Sequence, residues 1–319
     1  MKIVVLDDYE KSMIFLKDNN KISSKASIQI HHQRLIGDAL VDAIRDANVV
    51  VLMRDRTPFR AELINQLNEL QYVIFTGNRN MAIDYDVLAA KNIPVSYTEF
   101  GPSKETTVEL TWALILSAYK RIGEQNLVAM SGAWRNEHSV LPALHGERLG
   151  VLGLGSIGSK VAKVGLAFGM DVVTWSPNMT PERAAVHGVK AVSLEELLQT
   201  SRIVSLHLVP GEGTKYVMNA ERLAMMRADS FLVNTSRSTL IVTADLVQAL
   251  QNGKPSMALL DVFDQEPINL EEELFKLPNV FITPHLGFVH QPIFKNLTMG
   301  AQAALEAWVS GEPLVNQVQ

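Results

Sequence analysis

The chain has 319 residues, a hydrophobic fraction of 47% and a formal net charge of -5. The composition is that of a globular protein, and the length favours two domains of about 150 residues each. A chain with a net negative charge lacks the basic surface that binds nucleic acid. The chain has no cysteine, which excludes a disulfide framework and a thiolate metal site, and the sequence predicts no metal centre. Asp7 and Asp8 interrupt the apolar start, and no stretch is long enough to span a membrane. We therefore expect a cytoplasmic protein without a membrane or nucleic-acid partner.

Short β-rich runs alternate with amphipathic segments from Met1 to about Tyr97. The predicted strands are Lys2–Leu6, Ser27–His31, Val49–Met53, Tyr72–Thr76 and Val95–Tyr97. Near-continuous apolar strands are typical of a parallel sheet covered by helices on both faces, where ligands bind at the carboxyl ends of the strands. The pattern predicts a doubly wound α/β domain.

Two of these strand ends carry residues suited to a small anion. The third strand ends in Met53-Arg54-Asp55-Arg56, and the fourth ends in Thr76-Gly77-Asn78. Arginine binds a carboxylate or phosphate as a fork, and the N–H groups of a glycine turn add donors. The alternative is a solvated loop with surface ion pairs.

A helix is predicted from about Lys104 through Leu116, with Ser103 as its cap, and it connects the first domain to a second one. The residues 132–146 are expected to form a loop. A final helix is predicted from Pro292 to Trp308, with one apolar face that packs on a sheet.

A glycine-rich turn lies at the centre of the chain. Gly153, Gly155 and Gly158 have the G-x-G-x-x-G spacing, between a short apolar strand and an amphipathic helix, and Asp171–Trp175 follows as the next strand. The first glycine allows the turn, the second lets a pyrophosphate approach the backbone, and the third packs helix on strand. The context predicts a dinucleotide site, with the phosphates at the helix N-terminus.

Polar residues follow each of the later predicted strands, which are Ile203–Leu208, Phe231–Asn234, Met257–Leu260 and Val280–Ile282. His207 lies at the end of the first, and Arg237, Glu266 and His285 follow the other three. Each has an ordinary explanation on its own: a surface ion pair, a turn before a proline, or a buried imidazole. An arginine, a carboxylate and a histidine at the edge that binds a dinucleotide instead favour an active site.

The motifs together resemble those of the D-isomer-specific 2-hydroxyacid dehydrogenases. They are the glycine turn, Asn234-Thr235-Ser236-Arg237, Asp261-Val262-Phe263-x-x-Glu266-Pro267 and Thr283-Pro284-His285. The resemblance covers essentially the whole chain. It implies that residues 102–289 form a Rossmann-type dinucleotide-binding domain inserted into a flavodoxin-like substrate domain made of residues 1–101 and 290–319.

The resemblance also implies three catalytic roles. His285 matches the general acid/base that protonates the carbonyl oxygen as hydride arrives from the nicotinamide. Glu266 matches the carboxylate that orients the imidazole and favours its charged form. Arg237 matches the forked cation that binds the substrate carboxylate and polarises the carbonyl.

Further site residues are implied by position. The substrate would meet the backbone donors at Gly77 and Asn78, and Arg54 and Arg56 resemble arginines that contact its distal end in phosphoglycerate-type members. Asp261 matches a contact on the nicotinamide side. The full set expected to bind the cofactor is Gly153, Gly155, Ser156, Ile157, Gly158, Ser176, Asn178, His207, Thr235 and Asp261.

Two positions depart from the family pattern. Ser238 replaces the glycine that usually follows the catalytic arginine, which is a small change. After Trp175, where members that prefer NAD carry an aspartate for the ribose, this chain has Ser176-Pro177-Asn178. The missing acid removes the repulsion against a 2′-phosphate, so the cofactor is expected to be NADP or NAD, with NADP favoured.

The sequence thus favours an NAD(P)-dependent oxidoreductase that interconverts 2-oxo acids and D-2-hydroxy acids, and the resemblance implies a homodimer. The alternative is a dinucleotide-sensing binding protein on the same fold, like the co-repressors that resemble this family. A different Rossmann enzyme, such as an amino-acid dehydrogenase, would need a catalytic lysine at a strand end, and none is evident.

Overall fold

A computed structural model describes residues 1–101, 104–135 and 137–318 of the chain. The chain divides into two compact units. Unit 1 consists of Met1–Pro102 and His290–Gln319, and unit 2 of Ser103–Val289. The expected helix cap, Ser103, lies outside the described residues.

Unit 1 is built on a five-stranded parallel sheet with the order β2-β1-β3-β4-β5. This is the flavodoxin-like order, so the predicted doubly wound architecture is confirmed. Three strands end one residue earlier than predicted, so His31, Met53 and Thr76 lie directly after β2, β3 and β4. The strands are β1 Lys2–Leu6, β2 Ser27–Ile30, β3 Val49–Leu52, β4 Tyr72–Phe75 and β5 Val95–Tyr97.

Unit 2 is built on a seven-stranded parallel sheet with the order β12-β11-β10-β9-β6-β7-β8. The strands are β6 Arg148–Leu152, β7 Asp171–Trp175, β8 Lys190–Ala191, β9 Ile203–Leu206, β10 Phe231–Asn234, β11 Met257–Leu260 and β12 Val280–Ile282. The direction of winding reverses between β6 and β9, as in a Rossmann sheet, and such a reversal opens a crevice at the carboxyl ends of these two strands. The two-residue edge strand β8 was not predicted, because it has no apolar run.

The helices cover both sheets. They are α1 Asn20–Ser23, α2 Gly37–Ile44, α3 Ala61–Ile64, α4 Tyr85–Ala90, α5 Lys104–Tyr119, α6 Ile122–Met130, α7 Gly158–Ala167, α8 Pro181–Ala185, α9 Leu194–Thr200, α10 Ala220–Met225, α11 Thr243–Gln251 and α12 Gln291–Ser310. Short 3₁₀ turns span Ile14–Asp18, Glu137–Ser139, Ser238–Leu240, Glu273–Lys276 and Leu286–Phe288.

The last helix, α12, packs on the sheet of unit 1. Ala301, Ala304 and Leu305 are fully buried, in the same core cluster as residues of β1 and β3. The indole of Trp308 stacks on the ring of Tyr72 with 4.8 Å between the centroids. Unit 1 is therefore completed by residues that are distant in sequence.

Helices α5 and α6 belong to unit 2. The first continues to Tyr119, three residues beyond its predicted end, because Ala118 and Tyr119 are still buried in the core. The second lies in a stretch for which no helix was predicted, and none of its residues is buried. Among the described residues, no helix combines the length and the apolar character needed to cross a bilayer, and no cluster of side chains is suited to a metal ion.

Candidate active site

The glycine turn between β6 and α7 has the shape that a dinucleotide phosphate needs. Gly153 has a φ of 97°, and a Cβ there would lie 2.8 Å from the carbonyl oxygen of His207. A Cβ on Gly158 would lie 1.9 Å from the carbonyl oxygen of Gly153, so helix and strand approach too closely for any side chain. A Cβ on Gly155 would meet nothing within 4 Å. The open side of the turn is where a pyrophosphate can approach the backbone.

The same turn presents hydrogen-bond donors. In the part of the chain that the structure describes, the backbone N–H groups of Ser156, Ile157 and Gly158 have no hydrogen-bond partner. They lie at the N-terminus of α7, a helix of ten residues, where the helix dipole also favours an anion. These residues fit the phosphates of a dinucleotide.

His207 lies across the switch point from this turn, directly after β9. Its Nε2 is 2.9 Å from the hydroxyl oxygen of Ser205. Burial of the ring lowers the pKa of His207 to about 4, so the imidazole is neutral at physiological pH. The predicted cofactor residue is therefore an uncharged part of the crevice wall.

At the end of β7, the loop that carries Ser176 and Asn178 is contacted by Arg183, which the sequence patterns did not indicate as a site residue. Arg183, on α8, donates a hydrogen bond from Nη1 to the carbonyl oxygen of Asn178. Thr180 caps this helix by accepting a hydrogen bond from the Arg183 N–H. The signal for this helix was present in the sequence as the cap Thr180 followed by Pro181, which is typical of a helix N-terminus.

The segment after β10 is shaped by Asn234. Its side-chain amide donates to the carbonyl oxygen of Arg237 at 2.9 Å, and its amide oxygen accepts from the N–H of Ser236 at 3.0 Å. The hydroxyl of Thr235 is buried and lies 2.8 Å from the hydroxyl of Thr111 on α5. The Thr235 hydroxyl is thus bonded within unit 2, and its contact with the cofactor stays a prediction.

Arg237 itself is exposed. One guanidinium nitrogen, Nη1, donates to the carbonyl oxygen of Ser236 at 2.7 Å. Because Asn234 holds the backbone and the guanidinium keeps further N–H donors, the side chain can present a fork to a carboxylate.

His285 and Glu266 form the central pair. The imidazole Nδ1 lies 2.6 Å from Oε2 of Glu266, and the other carboxylate oxygen accepts from the N–H of Phe263 at 2.9 Å. About a third of each side chain is exposed. The bond at Nδ1 leaves Nε2 as the ring nitrogen that can exchange a proton with a substrate. Because β10, β11 and β12 are neighbours, Arg237, Glu266 and His285 all follow adjacent strand ends.

Asp261 holds the segment that carries His285. Its carboxylate is fully buried and accepts from the hydroxyl of Thr283 at 2.6 Å, from the Leu286 N–H at 2.7 Å and from the Gly287 N–H at 2.8 Å. His285 lies between these donors with a φ of 53°, a conformation that costs a non-glycine residue free energy. Asp261 therefore positions the histidine, and its contact with the nicotinamide stays a prediction.

In unit 1, Arg54 and Gly77 lie against each other. Gly77 has a φ of 101°, and a Cβ there would lie 2.1 Å from Nη1 of Arg54. The guanidinium carbon of Arg54 lies 4.5 Å from the centroid of the Phe100 ring, and the N–H of Phe100 donates to Oδ1 of Asn78 at 2.6 Å. A glycine is required where the arginine crosses the turn.

Hydrogen bonds within unit 1 engage two of the groups that were expected to bind the substrate. The N–H of Gly77 donates to the hydroxyl of Thr98 at 2.9 Å, so this donor is used within the unit, whereas the N–H of Asn78 has no partner among the described residues. Arg56 pairs with both carboxylate oxygens of Glu10, at 2.6 and 2.8 Å, and donates to the carbonyl oxygen of Asp7 at 2.7 Å. The Arg56 guanidinium is therefore bonded within unit 1, and its contact with the substrate stays a prediction.

Comparison with known proteins identifies relatives of this chain among the 2-hydroxyacid dehydrogenases. A family model described as the NAD-binding domain of D-isomer specific 2-hydroxyacid dehydrogenases matches residues 112–287. The glyoxylate reductase of Aeropyrum pernix is 33% identical over 289 residues, 88% of this chain and 85% of that protein. A D-3-phosphoglycerate dehydrogenase of Bacillus subtilis is 32% identical over 268 residues, and the match covers 84% of this chain but 51% of that protein.

Solved structures of family members have the same fold as this chain. The crystal structure of D-lactate dehydrogenase from Aquifex aeolicus, in complex with NAD and lactic acid, superposes with a TM-score of 0.73 at 25% identity, covering 98% of this chain and 96% of that one. The alternative of a dinucleotide-sensing binding protein is not favoured, because these relatives are named as reductases and dehydrogenases. The protein is an oxidoreductase that transfers a hydride between a nicotinamide cofactor and a 2-oxo acid / D-2-hydroxy acid pair. The chain belongs to the D-isomer-specific 2-hydroxyacid dehydrogenase family.

Proposed function

We propose that the protein reduces a small 2-oxo acid, with His285 as the general acid, Glu266 as its partner and Arg237 as the carboxylate-binding cation. The observation that carries these roles is the 2.6 Å contact between Nδ1 of His285 and Oε2 of Glu266, which directs Nε2 away from the pair. When bound, the nicotinamide supplies the hydride. Nε2 gives its proton to the carbonyl oxygen, and the Glu266 carboxylate holds the ring in one orientation.

Replacement of the histidine tests this proposal. We expect His285→Ala to lower kcat by roughly 100- to 10,000-fold, the contribution of a positioned general acid, while the Kd of the reduced cofactor stays within about twofold. The matched control is His187→Ala, which removes an exposed histidine elsewhere in unit 2. A His285→Ala variant with more than about a tenth of the wild-type kcat would remove this residue from the role.

For the substrate, we propose that Arg54 and the N–H of Asn78 bind a carboxylate or another acidic group. The support is the turn in unit 1, where Asn78 is exposed and the Arg54 guanidinium lies on Gly77 and against the Phe100 ring. A panel of glyoxylate, hydroxypyruvate and pyruvate, measured with wild type and Arg54→Ala, tests the assignment. We expect the variant to raise KM by about tenfold for the preferred acid, since a charged hydrogen bond is lost. An unchanged KM for every acid would exclude Arg54 from the site.

For the cofactor, we propose that NADPH is used at least as well as NADH. The support is the absence of an acid at Ser176 and the presence of Arg183, whose guanidinium reaches the same loop at Asn178. A neutral hydroxyl does not repel a 2′-phosphate, and an arginine pairs with it as a fork.

Two variants separate these contributions. Ser176→Asp restores like-charge repulsion and should shift the ratio of kcat/KM values toward NADH by about tenfold, which corresponds to about 1.4 kcal/mol. Arg183→Ala should lower kcat/KM for NADPH by about tenfold and leave that for NADH unchanged. The control is Lys163→Ala, which removes an exposed cation from α7. A wild type that strongly prefers NADH, with both variants unchanged, would show that this loop does not face the ribose.

We propose that the protein is a homodimer that associates through α6 and the segment after it. The support is a group of large apolar side chains that are more than half exposed: Ile122 at 52%, Leu127 at 71%, Met130 at 79%, Trp134 at 77% and Val140 at 86%. A concentration of this kind on a water-soluble surface marks an interface, and a second copy is the simplest partner.

Light scattering on size-exclusion fractions tests the dimer. We expect wild type to elute at twice the chain mass, and Leu127→Asp with Trp134→Asp to elute as a monomer, because burying two carboxylates in an interface is costly. Val186→Asp is the control, since Val186 is 81% exposed on another part of unit 2. A monomeric wild type would overturn the proposal.

We also propose a cytoplasmic location without membrane or nucleic-acid partners. The cysteine-free, acidic composition supports this location. Fractionation of cells that express the tagged protein checks it.

A further inference from the structure

A cavity of about 450 Å³ lies within unit 1, beside the ends of β4 and β5. Its walls come from the loop after β4, from α4 and from the segment at Gln317 and Val318. This volume is in the range of small-ligand sites. Asn78 is the one lining residue that also belongs to the candidate substrate turn described above.

Three aromatic rings form the apolar part of the cavity. Phe75 is 1% exposed, and two tyrosines contact it. The ring of Tyr85 lies 6.3 Å from Phe75 with planes at 69°, and the ring of Tyr97 lies 6.4 Å away with planes at 33°. Phe75 lies buried behind the two tyrosines, and the partly exposed rings of Tyr85 and Tyr97 offer a surface that a further flat group can pack against.

The polar part of the cavity is cationic. Arg79 lines it, and no carboxylate is among the described residues of its wall. In the same part of the chain, the structure gives no hydrogen bond or ion pair to the Arg79 guanidinium, the Tyr97 hydroxyl or the Gln317 side-chain amide. An arginine with no acid beside it is suited to a carboxylate from outside the chain.

The walls are held by hydrogen bonds and so are formed without a ligand. The N–H of Tyr97 donates to the carbonyl oxygen of Asn316 at 3.0 Å, and the N–H of Val318 donates to the carbonyl oxygen of Val95 at 2.8 Å. On the opposite side, the hydroxyl of Tyr85 donates to the carbonyl oxygen of Asn80 at 2.9 Å. A preformed cavity keeps the entropy cost of binding low.

We propose that this cavity is a second ligand site, which shares only Asn78 with the proposed substrate contacts, and that it takes a small carboxylate with an aromatic or other flat apolar body. The carboxylate pairs with Arg79, the ring packs against the partly exposed rings of Tyr85 and Tyr97, and the Gln317 amide supplies a further hydrogen bond.

The test uses 4-fluorobenzoate as the probe and fluorine NMR of the full-length protein as the readout. We expect saturable binding of 4-fluorobenzoate and at least about tenfold weaker binding of the neutral 4-fluorobenzamide, because only the former pairs with the arginine. Arg79→Gln removes the charge, and Gln317→Trp fills the space from an exposed position. Each substitution should raise the Kd of 4-fluorobenzoate by about tenfold or more. Arg45→Gln, which changes an exposed arginine directly after α2, should bind like wild type.

Arg237→Gln distinguishes this cavity from the active site and should bind 4-fluorobenzoate like wild type. The proposal is overturned if wild type shows no saturable binding, if the charged and neutral probes bind equally, or if Arg79→Gln and Gln317→Trp both bind like wild type. It is also overturned if Arg237→Gln abolishes binding, because the probe would then occupy the substrate site. The readout needs no turnover, so failure of the proposed catalytic roles would be seen separately in His285→Ala.

Discussion

The arginine after β10 illustrates how a short motif places a functional group. Asn234 holds the backbone at Ser236 and Arg237 with two hydrogen bonds, and the guanidinium remains exposed. We expect Arg237→Lys to lower kcat/KM for the oxo acid by at least about tenfold, because an ammonium cannot reproduce a forked contact with a carboxylate and a carbonyl oxygen.

Steady-state kinetics with the preferred oxo acid measure this effect, and Arg227→Lys is the control for an arginine remote from the strand ends. If Arg237→Lys matched wild type with the oxo acid while the Kd of the cofactor rose, the arginine would belong to the cofactor site instead.

Single residues were predictable where a local motif carries them. Glu266 and His285 were identified from their motifs, and the structure brings their side chains within 2.6 Å. The ion pair of Arg56 with Glu10 was not predictable, because the two residues are 46 positions apart in the sequence. The same holds for the Gly77 N–H, whose acceptor belongs to a different strand end. Such contacts depend on tertiary packing, which a local pattern does not record.

At the scale of elements, ion pairs of Asp229 hold the turn before β10. This turn lies at the amino end of the strand, whereas the glycine turn lies at the carboxyl end of β6. Asp229 accepts two hydrogen bonds from Arg227, both 2.8 Å, and lies 2.7 Å from Nη1 of Arg202. The guanidinium carbon of Arg202 in turn lies 5.5 Å from the centroid of the Phe231 ring. The Arg227 hydrogen bonds, with a further contribution from Arg202, hold the pKa of Asp229 well below its usual range.

A lowered pKa in the folded state makes the stabilisation by Asp229 dependent on pH. The contribution is present above the unfolded pKa of about 3.9 and is lost as the pH falls toward the folded value. Because 53% of the side chain is exposed, screening limits the effect to about 1 kcal/mol or less. We therefore expect Asp229→Asn to lower Tm by about 2–4 °C near pH 7 and by less near pH 3.

Thermal melts of the wild type and of Asp229→Asn at the two pH values check this expectation. Asp42→Asn, which changes an exposed carboxylate paired with Arg45 on α2, is the control. The assignment would be contradicted by a Tm difference that is as large near pH 3 as near pH 7.

Elements were predictable where apolar periodicity is strong. The strands of both sheets were identified to within one or two residues, except β8, which has only two residues and no apolar run. Helix α6 was missed for a related reason. Its large apolar residues do not face a core within the described structure, so the usual link between an apolar stripe and burial does not apply.

At the scale of the whole molecule, the alternation of strands and helices predicted two doubly wound sheets, and the structure confirms that fold class. The assignment of the C-terminal segment to the first sheet could not come from periodicity. The apolar face of an amphipathic helix predicts that the helix packs on a core, but it does not identify that core. Only the family resemblance implied that the helix packs on the first sheet. In the structure, the buried face of α12 lies against β1 and β3.

The discontinuous unit leads to a last prediction. A chain of residues 103–289 contains the complete seven-stranded sheet and both of its core clusters, so we expect it to fold, to bind NAD(P)H within about tenfold of the full-length Kd, and to show no turnover.

A chain of residues 1–289 lacks Ala301, Ala304 and Leu305, which are fully buried in unit 1. Large losses of buried apolar surface cost several kcal/mol, so its first sheet should exchange amide hydrogens rapidly while the second stays protected. Hydrogen exchange with mass spectrometry measures both chains. Equal protection of β1 and β3 with and without α12 would show that the helix is not part of that core.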